Sequence, residues 1–172
     1  MKASQFRKTV TMDGSDLLGK LVGLFEQLGI RYCVIGGQAV NAYAEPLVSL
    51  DLDVVVATEQ IPQLESALGD FKVRTLPHSI NISLEGSDLR AQVQTDPRYA
   101  DFVARAEPRD VLGVTLQVAR VDDVLQGKVW AASDETRRPS KRQKDLADIA
   151  RLLDAYPALR AQVPADVLDR LL

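Results

Sequence analysis

The chain has 172 residues, 46% of them hydrophobic and 26% charged, with a formal charge of −3 at pH 7. This is the balance of a soluble globular protein with room for one full-sized domain, and it excludes a broadly basic coat for nucleic acid, so any such contact has to be a local patch. The single cysteine, Cys33, can form no internal disulfide. Residues 1–8 have no apolar signal core and no segment has the ~18 uninterrupted apolar residues of a membrane span, so a cytoplasmic protein without a membrane partner is expected.

In chain order, Asp13 and Ser15 are good caps for a helix with apolar positions at Leu17, Leu18, Leu21, Val22, Leu24, Phe25 and Leu28, which Gly29 ends. A short strand over 32–35 places Cys33 in an apolar run, where it reads as a small buried hydrophobe. Gly36-Gly37 then breaks the chain, a short helix over 38–44 stops before Pro46, and a strand follows over 50–57. A helix is expected over 61–68 and a strand over 71–76. The segments 80–84 and 89–94 alternate with period two and read as a hairpin, with Leu89, Ala91 and Val93 on one face and Arg90, Gln92 and Gln94 on the other. A helix over 99–106, a strand over 114–118 and a helix over 121–132 come next. Residues 137–144 then hold five cations in eight positions. Within them Ser140 and Gln143 have capping-box spacing, which predicts a helix from Lys141 to about Tyr156, and a last helix is expected over 165–171. The chain divides into an α/β core over 1–120 and a helical portion over 121–172, packed as one unit.

Two residues in this pattern ask for chemistry. Asp51 and Asp53 alternate with apolar residues in the run Leu50-Asp51-Leu52-Asp53-Val54, so their carboxylates project from one face of a strand, ~7 Å apart at Cα. Buried like charges are costly unless a cation or partner compensates them, and a hard divalent ion sharing substrate phosphates would do so. Taken alone, the pair also fits the solvated end of a strand. The glycine pair upstream, at the start of a helix, offers backbone N–H groups to a phosphate, or is only a tight turn. The lone His78 can build no zinc site and reads as a structural residue. Trp130 and the four tyrosines lack the interleaved basic and aromatic pattern of a single-strand binder.

Gly36-Gly37 followed by Asp51-Leu52-Asp53 resembles the first motif of the nucleotidyltransferase superfamily, the polymerase-β-like fold. The segment DDVLQGKVWAASDETRRPSKRQKDLADIARLL resembles the later motifs of its AbiEii-like branch, whose members include toxins of type IV toxin/antitoxin systems. The likeness runs from about Tyr32 to Leu153. It implies an α/β (α+β) fold with a mixed sheet flanked by helices, and Mg2+ or Mn2+ held by Asp51 and Asp53. It further implies an NTP whose phosphates lie at Gly36, Gly37 and Gln38, with Lys128 and Asp145 as later catalytic positions and Arg138 and Lys144 near them. Lys141, Arg142 and Lys144 at a helix start oppose the helix dipole, which suits an anionic ligand, although Lys141 and Asp145 at i,i+4 spacing can also compensate one another. Lys128 equally fits a surface lysine lying along its helix.

One departure stands out. Catalytically competent relatives carry a third carboxylate on the neighbouring strand, whereas the strand over 89–95 offers Arg90, Gln92 and Gln94, and Gln92 cannot take a proton at neutral pH. Two functions follow. One is a metal-dependent nucleotidyltransferase passing a nucleotide from an NTP to an acceptor hydroxyl on RNA or protein, with an antitoxin-like partner. The other is a catalytically degenerate member of the fold that binds a nucleotide, RNA or a partner.

Overall fold

The computed structural model describes Asp13 and residues 15–171; the N-terminal stretch read for a secretion signal lies outside them. Helix α1 (Leu17–Leu28) buries Leu17, Leu18, Leu21 and Phe25, the stripe expected from their spacing. Its caps differ from expectation. Asp13 accepts from the N–H groups of Leu17 at 2.7 Å and Leu18 at 3.3 Å, and Asp16 accepts from Gly19 at 3.3 Å. The Ser15 hydroxyl, expected to cap, is buried with no hydrogen-bond partner among the described residues. Gly29 closes the helix at φ 63, a left-handed conformation that glycine adopts without strain.

Seven strands follow: β1 (Tyr32–Ile35), β2 (Asp51–Val56), β3 (Lys72–Leu76), β4 (Ser79–Ser83), β5 (Arg90–Gln94), β6 (Glu107–Val111) and β7 (Val114–Val118). They form one mixed sheet in the order β3-β4-β5-β2-β1-β7-β6. β2 lies parallel to β5 and β1 parallel to β7, with the remaining neighbours antiparallel. Helices α2 (Gly36–Tyr43), α3 (Ile61–Ser66), α4 (Val121–Ser133), α5 (Pro139–Ala155) and α6 (Ala165–Leu168) complete the α/β architecture. α2 packs on β1, β2 and β6 and touches both α4 and α5. One continuous buried cluster joins α1, the sheet, Leu146, Ile149 and Leu152 of α5, and Val167 of α6.

Several boundaries move for physical reasons. β6 was not expected, because Glu107, Pro108, Arg109 and Asp110 carry no apolar alternation. It lies at the sheet edge, where a proline and charged side chains are tolerated. Its turn into β7 uses Leu112 at φ 53 and Gly113 at φ 76, the two positive values of a type I′ hairpin. The helix expected over 99–106 is a 3-10 helix over Pro97–Arg105, started by the Asp96 carboxylate on the Arg98 N–H. α5 starts at Pro139 behind Arg138, without a side-chain cap. The Ser140/Gln143 capping box therefore does not form, since a proline suits the first helical position and draws the start forward. α6 ends at Leu168, shorter than expected.

Cys33 is fully buried on β1, and burial, with the Asp123 carboxylate adding, pushes its thiol up to about 12. Its reaction with a disulfide reagent should be undetectable in the folded protein and stoichiometric in denaturant. Rapid labelling without denaturant would contradict this packing.

Candidate active site

β2 enters the sheet with alternating burial, Leu52 and Val54 facing the core and Asp51 and Asp53 half-buried on the other face. The parallel register sets Arg90 beside Asp51 and Gln92 beside Asp53, and β4 continues that row with Asn81 beside Gln92. On the other side Ile35, the last residue of β1, pairs with Asp53, and the chain turns at once into α2. Gly36 and Gly37 are therefore the first two residues of this helix, not a turn before it. Gly36 has φ 70, and a Cβ there would stand 2.4 Å from Asp53 Oδ2. The carboxylate thus rests directly on backbone, which only glycine permits. Gly36→Ala should cost about 1–3 kcal/mol in denaturant unfolding through the left-handed φ and the steric conflict with Asp53. A neutral result would mean that the helix start relaxes freely.

Burial pushes the Asp53 carboxyl up to about 6; Lys128 opposes that rise, Asp51 adds to it, and Arg137 and Lys141 oppose it further. Asp51 is more open and lies 3.1 Å from Arg90 Nη2. Behind the pair stands a charged network. Lys128 on α4 is buried, with Nζ 3.1 Å from Asp145 Oδ1 and 2.8 Å from Asp148 Oδ2. Burial works against its charge, but Asp148 and Asp145 outweigh that and hold its pKa above the ordinary lysine value. Arg137 Nε donates to Asp145 Oδ2 at 2.7 Å. Arg151 donates to Asp148 Oδ1 at 2.8 Å, to Asn41 Oδ1 at 2.7 Å and to the Glu45 carbonyl. Asn41 in turn holds the Leu47 backbone through both its N–H and its carbonyl. α2, α4, α5 and the loop leading to β2 are therefore tied together by charge-assisted hydrogen bonds.

Two cavities share Asp53, Gln92, Lys128, Arg137 and Asp145 in their walls. One runs inward past Gly36, Gln94, Tyr99, Asp123 and Gly127. The other opens outward past Gly37, Ser49, Asp51, Lys141, Lys144 and Arg151. Of the residues singled out in the sequence, this arrangement brings together Asp51, Asp53, Gly36, Gly37, Gln92, Lys128, Asp145, Lys141 and Lys144.

Three others stand apart. Gln38 is buried and donates to the Ser49 carbonyl at 2.9 Å, so it braces the loop before β2 instead of facing a phosphate. Arg138 is exposed and lines neither cavity; its neighbour Arg137 is the one turned onto Asp145. Arg142 also lines neither cavity, and its Nε is buried without a partner among the described residues. Asp145 is held by Lys128 and Arg137 and not by Lys141 at i,i+4. Reasoning from sequence missed Arg137, Asp148, Arg151 and Asn41. Helical spacing does carry a signal for two of them, since Asp145, Asp148 and Arg151 recur at i,i+3 on α5.

Among the described residues no group of three or more His, Cys, Asp or Glu could hold a metal ion by itself. The donor set is Asp51 and Asp53. Mg2+ commonly takes one or two carboxylates and completes its shell with water and substrate phosphates, so this pair fits such an ion when a nucleotide is present. The Asp53 carboxyl, resting on Gly36 and raised by burial in spite of Lys128, Arg137 and Lys141, is the feature that fits it.

No family model matches the chain and no curated protein matches its sequence. Solved structures do. ANT(2")-Ia in complex with adenylyl-2"-tobramycin superposes with a TM-score of 0.54 at 16% identity, over 85% of this chain and 96% of that one. The lincomycin-bound lincosamide antibiotic adenylyltransferase LnuA gives 0.54 at 11% identity, over 78% and 95%. An antigenic nucleotidyltransferase-like protein from Paracoccidioides brasiliensis gives 0.55 at 18% identity, over 84% and 77%. At these identities the likeness establishes the fold, which is that of the nucleotidyltransferases.

Proposed function

We propose that the cleft at Asp51 and Asp53 binds an NTP with Mg2+ or Mn2+ and transfers its nucleotide to an acceptor hydroxyl. The observation that carries this is the seat of Asp53: a half-buried carboxylate resting on the glycine that opens α2, with Asp51 beside it and Lys128 behind, in a nucleotidyltransferase fold. In the transfer the hydroxyl oxygen bonds to the α-phosphorus, the bond from that phosphorus to pyrophosphate breaks, pyrophosphate leaves with the electron pair, and the hydroxyl proton passes to water. Asp51 and Asp53 would hold the metal, which when bound neutralises phosphate charge. The start of α2 presents Gly37 to the outward cavity, and Lys141 and Lys144 supply positive charge on its wall. Lys128, fixed by two carboxylates, keeps a positive charge near Asp53 without leaving its place. Positioning and electrostatics of this kind supply most of the rate enhancement in phosphoryl-type transfers. On this proposal the chain resembles the AbiEii-like branch, its acceptor hydroxyl belongs to RNA or protein, and an antitoxin-like protein is its partner.

One observation favours the second reading, a nucleotide- or partner-binding protein without turnover. Gln92 occupies the register position beside Asp53 and cannot accept the proton. One experiment separates the two. The protein is incubated with Mg2+ or Mn2+, each α-labelled NTP in turn, and RNA and protein extract, beside an Asp51→Asn/Asp53→Asn control. Label should appear on an acceptor with the native protein and not with the control. Equal labelling in both would sink the enzyme reading; NTP binding by calorimetry without labelling would select the second.

A further inference from the structure

Beyond the site just described, the same face of the sheet continues across β5, β4 and β3 as a separate cleft. It meets the outward nucleotide cavity at Asp51, Gln92 and Lys141, and so reaches the Asp51 member of the carboxylate pair. The register explains its lining. Asp53, Gln92, Asn81 and Arg74 stand in one cross-strand row, and Lys72 is paired with Ser83 in the next. Its wall carries four cations, Lys72, Arg74, Arg90 and Lys141, against the single carboxylate of Asp51. In a chain of net charge −3 that is a marked local excess.

These cations are available. Among the described residues Lys72, Arg74 and Lys141 have no ion-pair partner, and Arg90 has only Asp51, with both side chains well exposed at 65% and 39%. Charged residues on an edge strand such as β3 also guard against edge-to-edge pairing. That role does not require them to share a face with the carboxylate pair, nor to be joined by Arg90 and Lys141 from elements away from the edge. Between the cations stand neutral hydrogen-bonding groups, the Asn81 and Gln92 amides and the Ser83 hydroxyl.

Resting on the nucleotidyl-transfer reading, we infer that this cleft seats the acceptor and that the acceptor is an anion, a hydroxyl compound carrying phosphate. Its phosphates lie against Lys72, Arg74, Arg90 and Lys141 while the hydroxyl points towards Asp51 and Asp53. A polycation such as tobramycin, the acceptor moiety in the ANT(2")-Ia complex, is repelled by the same charges.

The test is a set of titrations on the full chain and on Lys72→Glu/Arg74→Glu, both changes being on exposed positions of β3. The probes are a short single-stranded oligoribonucleotide with a free 3′-hydroxyl, ribose 5-phosphate, tobramycin, and ATP with Mg2+. The native protein should bind the oligoribonucleotide or ribose 5-phosphate and not tobramycin. The double variant should bind the phosphate compound at least about tenfold more weakly, with a shallower salt dependence, while ATP binding stays the same. Ribose 5-phosphate displacing the oligoribonucleotide identifies a small phosphorylated acceptor, and failure to displace it identifies a nucleic-acid end; either supports the proposal. Equal binding of the phosphate compounds by native and variant protein, no binding of either, or preference for tobramycin overturns it while ATP still binds. Absence of ATP binding to the native protein would instead overturn the reading beneath it.

Discussion

Lys128→Met is expected to destabilise the protein by about 3 kcal/mol in urea unfolding. The ammonium is buried between Asp145, which is 1% exposed, and the half-buried Asp148, and the change leaves both carboxylates short of a partner. Removing one member of a buried ion pair typically costs about 3–5 kcal/mol. The lower figure applies here because Arg137 still holds Asp145 and Arg151 still holds Asp148. Adding Asp145→Asn should recover part of the loss, since the second change removes the charge that the first one stranded, and the two effects should fall well short of additive. A loss below about 0.5 kcal/mol for the single variant would mean that Lys128 is not held as described.

Asp53→Asn is expected to act in the opposite direction on stability and to abolish nucleotidyl transfer. With its carboxyl pushed up to about 6 from an ordinary 3.8, the folded state is disfavoured wherever Asp53 is ionised in both states. Removing the charge should therefore stabilise the protein by about 1–3 kcal/mol near neutral pH. The sign is set by the raised folded value. As pH falls through about 6 the folded state takes up the proton first, so the penalty shrinks, and below the unfolded value near 3.8 it is gone. The stability difference between variant and native protein should be largest above pH 6 and vanish only well below pH 4, as read from urea unfolding at several pH values. A variant less stable than the native protein at neutral pH would contradict the account of Asp53.

The sheet was legible where side chains alternate. Leu89, Ala91 and Val93 set β5, and the alternation around Asp51 and Asp53 set β2, together with the face on which Gln92 stands. β6 was not legible because an edge strand needs no buried side, so Glu107 to Asp110 show no pattern. The helix starts depart from their local sequence signals. Asp16 rather than Ser15 joins Asp13 at α1, and Pro139 overrides the Ser140/Gln143 spacing at α5. At the site, residue types with unusual burial cost could be picked out, and Asp53, Lys128 and Asp145 do lie together. Which of two adjacent arginines turns inward was not encoded locally. Arg137 reaches Asp145 because of where α4 ends and α5 begins, a tertiary fact. Gln38 shows the reverse case: its position beside the glycine pair suggested a phosphate contact, but its amide is taken up by the Ser49 carbonyl.

The central claim is that the fold tolerates a charge at Asp53 because a cation and a nucleotide compensate it. Thermal unfolding of the native protein and Asp53→Asn, each with and without saturating NTP and Mg2+, addresses it in one measurement. Without ligand the variant should melt higher. With ligand at about a hundred times its Kd the native protein should gain about 2.7 kcal/mol and close most or all of that gap, while the variant barely moves. Equal stabilisation of both proteins by NTP and Mg2+ would contradict the claim, because the nucleotide would then bind without using the Asp53 carboxylate.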